Sequence, residues 1–253
     1  MKTATGMVDF YEREGLTSQR YSTRRFWERR YHSMRQTIIH NLLREHIEPT
    51  ERFADLGCGS GEHLRFAQRL TPRVLGLDVS MNYLRRSRAS NGPSLIRGDV
   101  MWTPFKDQTF DVVLLSEVLE HVPETTMVVR ELFRLSKKAV LITTPNEGLI
   151  RRLGRRFSKS FVERTDAGVG HVAIFPFREL LSKLRAPGWE IQQAFTTHVF
   201  PPTLDEISVP PFLIPLVRVL ECVLNTVVPE LGTVSIVLLV RKKSLDRAPP
   251  EPM

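Results

Sequence analysis

The chain has 253 residues, 42% of them hydrophobic and 25% charged, which excludes a disordered or fibrous protein and suits one decorated α/β domain. A formal net charge of +8, carried mostly by arginine, favours an anionic partner: nucleic acid, an acidic membrane surface or an acidic small molecule. Two cysteines, Cys58 and Cys222, make no disulfide framework and point to a reducing cytoplasm, and the opening MKTATGMVDFYERE lacks the apolar core of a signal peptide.

From about Arg24 the spacing is helical, with Phe26, Tyr31, Met34, Ile38 and Leu42 on a ragged apolar face, until Pro49 ends it. Arg30 and Arg35 read as solvated charges of that helix, with a cofactor carboxylate as the alternative partner. A regular alternation follows. Strands are expected over 52–56, 73–78, 94–97, 110–116 and 139–143, and helices over 61–70, 80–90 and 124–135, with Ser80 as an N-cap. Beyond Pro145 a helix near 178–184 leads to a strand from 189 to about 199 and a last strand over 233–240. Strands that are apolar throughout and alternate with helices predict a doubly wound α/β fold, its parallel sheet covered on both faces. The apolar stretch ISVPPFLIPLVRVLECVLNTVV, 207–228, holds three prolines, Arg218 and Glu221, so it reads as a surface element rather than a membrane span. It would be a hairpin elaboration if the last two strands pair. The tail 244–253 reads as disordered.

The stretch DLGCGSG, 55–61, is a glycine-rich turn after an apolar strand and before a helix, so its backbone can approach a ligand closely. It ends Ser60-Gly61-Glu62, not Gly-Lys-Ser/Thr, which removes a triphosphate loop. Its glycines run G-x-G-x-G, not G-x-G-x-x-G, and Asp55 before them is a poor neighbour for a pyrophosphate. A carboxylate there suits a ligand with an ammonium and a sulfonium, as in S-adenosylmethionine (SAM), unless Asp55 simply caps the turn. Asp78, at the second strand's end, can accept from ribose hydroxyls, and Asp99, after the third, from an adenine amine. Three acids thus stand at three successive strand ends on one edge of the sheet.

ADLGCGSG, GLDVS, GDV, PFKDQTFDVVLLSEVLEHV, ITTPN and GHVAIFPFREL occur in one order between about Phe53 and Leu184. In them the chain resembles the class I SAM-dependent methyltransferases, in the small-molecule group that includes ubiquinone and menaquinone biosynthesis enzymes. The resemblance implies a mostly parallel seven-stranded sheet whose last strand is antiparallel, with SAM as cofactor. It places Asp55, Gly57, Gly59 and Gly61 along the methionine part of SAM. Asp78 goes to the ribose with Ser80 and Met81 beside it, Asp99 and Val100 to the adenine, and Ser116 to the reaction centre. It also places Glu120 and His121 beside the site, where His121 is a candidate base or a structural residue. His171, in the glycine-rich loop DAGVGHVAIF, is the other candidate base; its plain alternative is a loop histidine bonded to backbone. The spacing shows no metal-ligand cluster.

The expected organisation is a single methyltransferase domain. It has a basic helical lid over 1–48, a cofactor core over 49–145, a substrate-side half over 146–243 carrying the insert, and the tail. The basic, aromatic N-terminal segment, the basic stretch LIRRLGRRFSKSFVE and the insert frame a greasy, positive entrance. They suggest a lipophilic acceptor, such as a quinone precursor or a lipid-linked molecule, and peripheral contact with an anionic membrane on its inner face. The insert could instead pack on the protein or form a homo-oligomer interface. Nucleic acid is disfavoured, since no RNA-binding module or Asn-Pro-Pro-Tyr motif is present. The alternatives are a soluble metabolite, RNA or protein as acceptor, or a SAM-binding module without catalysis. Oxygen, nitrogen and carbon all remain open as the methylated atom.

Overall fold

The computed structural model describes residues 12, 26–88, 92–148, 152, 170–197 and 231–241, with isolated positions 216, 219, 220, 223, 224, 227 and 228; side chains in the first helix are described from residue 32. The elements are α1 (Phe26–His46), β1 (Phe53–Leu56), α2 (Glu62–Ala67), β2 (Val74–Asp78), α3 (Met81–Ser87), β3 (Ser94–Arg97) and β4 (Phe110–Ser116). A 3₁₀ turn (Leu119–His121) follows, then α4 (Thr125–Leu135), β5 (Ser136–Pro145), α5 (Phe177–Lys183), β6 (Trp189–Thr197) and β7 (Val234–Arg241).

The seven strands form one sheet in the order β3-β2-β1-β4-β5-β7-β6. Strands β1 to β5 pair in parallel, and β7 runs antiparallel between β5 and β6. The last two strands pair as neighbours, which makes the segment between them the connection of a hairpin. The crossovers reverse direction between β1 and β4, and the crevice outside their carboxyl ends is where open α/β sheets take ligands.

Both faces of the sheet are covered. Along β4, Val113 and Leu115 join the core with Val128 and Leu132 of α4 and Leu180 of α5. Val112 and Leu114 join the opposite core with Ile39 and Leu43 of α1 and Leu64 of α2. The period-two alternation of strand side chains divides a continuous apolar run between the two layers.

Three expectations shift. Strand β5 extends three residues earlier and two later than its apolar centre, because it is paired along its length: Phe110 meets Ser136 on one side and Pro145 meets Val234 on the other. The buried face of α1 is Arg35, Ile39, Leu42 and Leu43, one helical step from the stripe centred on Met34 and Ile38, which are only half-buried. Arg35 is therefore not a solvated charge; it is 6% exposed. Ser80 caps α3 as expected, accepting from the Tyr83 N–H at 3.3 Å.

Of the insert over 207–228, Leu216, Val219, Leu220, Val223 and Val227 are exposed. No helix among the described residues is long and apolar enough to cross a membrane. Cys222, Arg218, Glu221, the basic stretch after β5 apart from Arg152, and the tail lie outside the described residues.

Candidate functional site

The glycine turn is fastened to β2. The N–H groups of Gly57 and Cys58 both donate to Leu77 O, at 2.7 and 3.0 Å, and Gly61 N–H closes the turn onto Cys58 O at 2.9 Å. Gly57 and Gly61 both take a φ of 78°, in the left-handed region that a side chain rarely adopts. A Cβ would also collide with Val118 Cγ2 at Gly57 and with Ser87 Oγ at Gly61. Around Gly59 nothing lies within 4 Å of such a Cβ, so this side of the turn faces open space. Cys58 is buried filler whose thiol is pushed up by that burial.

Asp55 is 1% exposed at the head of the turn, and neither carboxylate oxygen has a hydrogen-bond partner. Burial, then the neighbouring Asp78 charge, pushes its pKa up to about 8. Asp78 is differently placed. Gly59 N–H donates to its Oδ2 and Ser80 N–H to its Oδ1, each at 2.8 Å. Burial outweighs these bonds and raises its pKa above the ordinary carboxylate value. Each oxygen keeps a second lone-pair direction for a further donor.

Glu12 is a site neighbour that pattern reading missed. Its carboxylate accepts from the N–H groups of Met81 and Asn82 at 3.0 and 3.2 Å, from Ser80 Oγ at 3.3 Å and from Arg97 Nη2 at 3.1 Å. Burial alone would raise its pKa, but these partners hold the carboxyl below its ordinary value. Its reach across 68 to 85 residues leaves no local signature. At the end of β3, Asp99 Oδ1 accepts from the Met101 N–H at 2.9 Å, and Val100 is buried in the core.

The second half of the site lies past the end of β4. Ser116 Oγ and Thr143 Oγ1 are 2.9 Å apart, and Thr143 Oγ1 donates to Glu117 Oε1 at 3.1 Å. Arg35 Nη1 reaches Glu117 Oε2 at 2.7 Å, joining α1 to this strand end. Glu117 has a φ of 54°, a conformation an L-residue holds only when its surroundings enforce it. Three residues on, Glu120 is 1% exposed and accepts from Thr144 Oγ1 at 3.0 Å. Burial, then the Glu117 charge, pushes its pKa well above the usual carboxylate range.

The two candidate histidines meet here. The rings of His121 and His171 are 5.0 Å apart, and His121 Nε2 lies 3.7 Å from Glu120 Oε1. The loop that carries His171 is clipped down by Val172 and Ala173, whose N–H groups donate to Glu120 O at 2.7 and 3.1 Å. Glu120, His121 and His171 each offer a ligand atom within 4.8 Å of the others. Spacing alone shows no such cluster, because His171 stands 50 positions beyond His121 in the chain.

Residues 54–143 match the model of a family described as a methyltransferase domain. A demethylmenaquinone methyltransferase of Anoxybacillus flavithermus is 30% identical over 148 residues, covering 48% of this chain and 62% of that protein. The chain spans less than two thirds of the length of such curated relatives. Among solved structures, the magnesium protoporphyrin IX methyltransferase of Synechocystis with bound S-adenosylhomocysteine has a TM-score of 0.62 at 14% identity, covering 95% of this chain and all of that one. The [4+2]-cyclase SpnF has a TM-score of 0.55 at 19% identity, covering 81% of this chain and 80% of that one, so these likenesses speak for the fold alone. The matched segment, the strand order and the acids at the strand ends converge: residues 54–143 are a class I SAM-dependent methyltransferase domain, resembling that of the demethylmenaquinone methyltransferases.

Proposed function

We propose that this protein transfers the methyl group of SAM to a small, lipophilic acceptor such as a quinone precursor or a lipid-linked molecule. The observation that carries the SAM half is Asp55: a fully buried carboxylate with no hydrogen-bond partner at the head of the glycine turn. Buried polar groups are nearly always satisfied, so this one calls for a cationic donor. The ammonium and sulfonium of SAM supply it, and Asp78, with lone pairs to spare, takes the ribose hydroxyls. Ser80 and Met81 flank the ribose, Asp99 and Val100 the adenine, and Ser116 the methyl group.

The sulfonium methyl is already a strong electrophile, so the protein's task is placement, which can supply about 7–11 kcal/mol. His121 and His171 stand past the end of β4, where a group handling the acceptor's proton would act. The lipophilic acceptor is favoured by the exposed apolar positions Leu216, Val219, Leu220, Val223 and Val227 together with the chain's positive charge. The same features favour peripheral binding to an anionic membrane surface.

The test is incubation of the protein and methyl-deuterated SAM with extracted lipids and soluble metabolites, read by mass spectrometry. Label in the lipid fraction is expected. Label only in the aqueous fraction replaces the acceptor with a soluble metabolite, and SAM binding without any labelled product replaces the enzyme with a silent binding module. Deleting 210–228 should lower binding to anionic liposomes; unchanged binding removes the membrane contact.

A further inference from the structure

The methyl-transfer reading uses the two imidazoles but not the fully buried glutamate that faces them on the acceptor side. Building on that reading, we propose that Glu120, His121 and His171 hold a first-row divalent transition-metal ion, and that this ion binds a hydroxyl oxygen of the acceptor.

The donor atoms are already gathered within 4.8 Å of one another. The groups behind them are those that metal ligands require. Gly170 O can only accept, so His121 Nδ1, 3.3 Å away, carries the ring proton. That leaves the lone pair on Nε2, the nitrogen facing Glu120 Oε1 at 3.7 Å. A ligating histidine ordinarily donates its other N–H to a carbonyl or carboxylate in this way. On the carboxylate, Thr144 Oγ1 holds Oε2 and leaves Oε1 toward the imidazoles. The two backbone bonds from Val172 and Ala173 to Glu120 O fix the His171 loop against the same glutamate.

Arg35 is engaged by Glu117, and the ion pair seen for Glu120 among the described residues is with His121. Two nitrogens and one carboxylate suit zinc, manganese, iron or cobalt better than magnesium or calcium, which prefer all-oxygen cages. Three protein ligands also leave a coordination position open for substrate.

The site's place in the fold decides the chemistry. It follows Ser116 on the sheet's carboxyl edge, and the strained backbone at Glu117 turns the chain from the strand into it. A hydroxyl bound to the cation loses its proton to water more readily. The resulting oxygen lone pair then bonds to the SAM methyl carbon. The carbon–sulfur bond breaks with its electron pair on sulfur, leaving S-adenosylhomocysteine and a methyl ether. The methylated atom is therefore an oxygen, and the two imidazoles act on the acceptor's proton through the ion they hold rather than by taking it themselves.

Titrating cobalt(II) alone into the chelator-treated full chain tests this. Saturation by a single ion with visible ligand-field absorption, displaced by zinc, is the expected result. Glu120→Gln and His171→Ala should abolish it, and Thr144→Val should weaken it by about 10–100-fold. Wild-type protein that binds cobalt no better than His171→Ala, a loop change chosen to spare the core should Glu120→Gln fail to fold, overturns the proposal. SAM binding is measured on the same samples by calorimetry. SAM bound without a cobalt site overturns the metal alone; a cobalt site without SAM binding overturns the methyl-transfer reading alone.

Discussion

At the ends of β1 and β2 the site is made largely of backbone: N–H groups of Gly57 and Cys58 on Leu77, and of Gly59 and Ser80 on the Asp78 carboxylate. At the ends of β4 and β5 it is made of side chains: Arg35 on Glu117, Thr143 on Glu117, Thr144 on Glu120, and His121 against His171. The first half is a cradle of backbone bonds, which on the proposed function takes the adenosyl group. The second is a network of charges in low dielectric, where each group's protonation depends on its neighbours. This division suits an enzyme with a fixed cofactor and a specific acceptor, since loop and side-chain variation can change the second half without disturbing the first.

The comparison breaks most sharply at Asp78. Asp78→Ala removes the acceptor for two backbone N–H groups and, on the proposed function, for the ribose. SAM affinity should fall by more than about 100-fold, since bonds to a charged group contribute about 1.5–3 kcal/mol each. Calorimetric affinity close to wild type would sink the ribose assignment. Arg35→Met tests the other half. It leaves Glu117 facing Glu120 without a cation and should destabilise the fold by about 3 kcal/mol, the low end for a broken buried pair because Glu117 remains 21% exposed. Adding Glu117→Gln should recover much of that loss in denaturant titrations; strict additivity would show that the pair does not couple.

Gly61→Ala should lower stability by about 1–3 kcal/mol, through its positive φ and the crowding of Ser87, and loosen the turn. An unchanged melting temperature would contradict the close approach. A pH series sharpens the same half. Asp55 keeps its proton in the fold up to about 8, while the unfolded chain releases it near its ordinary value of 3.8. Between those values the native state binds more protons, so this contribution is full below 3.8 and is lost as pH rises through about 8. SAM binding, which on the proposed function needs the carboxylate, should strengthen over the same range. Asp55→Asn should flatten both slopes; a persistent slope would assign them to another group.

The smallest effect lies away from both halves, where His63 Nδ1 meets His40 Nε2 at 3.3 Å and His40 stacks on Phe66 at 3.8 Å. Burial lowers His63 to about 3 and His40 to about 4, the latter helped by Arg69 and Arg44. Their contribution is present above the unfolded value of 6.5 and is lost as pH falls through the folded values. A shallower acid decline in melting temperature is expected for His63→Gln; an identical acid limb would remove the pair from the account.

What the sequence determined by itself is the local chemistry. The glycine spacing of 55–61, the acid at each strand end and the Ser80 cap are fixed by turn geometry and hydrophobic period, which act over a few residues. The seven strands were legible in the apolar runs, and the resemblance implied that they share one mostly parallel sheet; their order was decided by the tertiary structure. The tertiary structure alone decided which charges meet. Arg35 reads as an exposed helix charge because its partner Glu117 is 82 residues away, and the pair exists only where α1 packs near the end of β4. Glu12 at α3, and His171 against Glu120 and His121, are of the same kind. A periodic pattern records which face of an element is buried, but the partner of a buried charge is set by what that face is packed against.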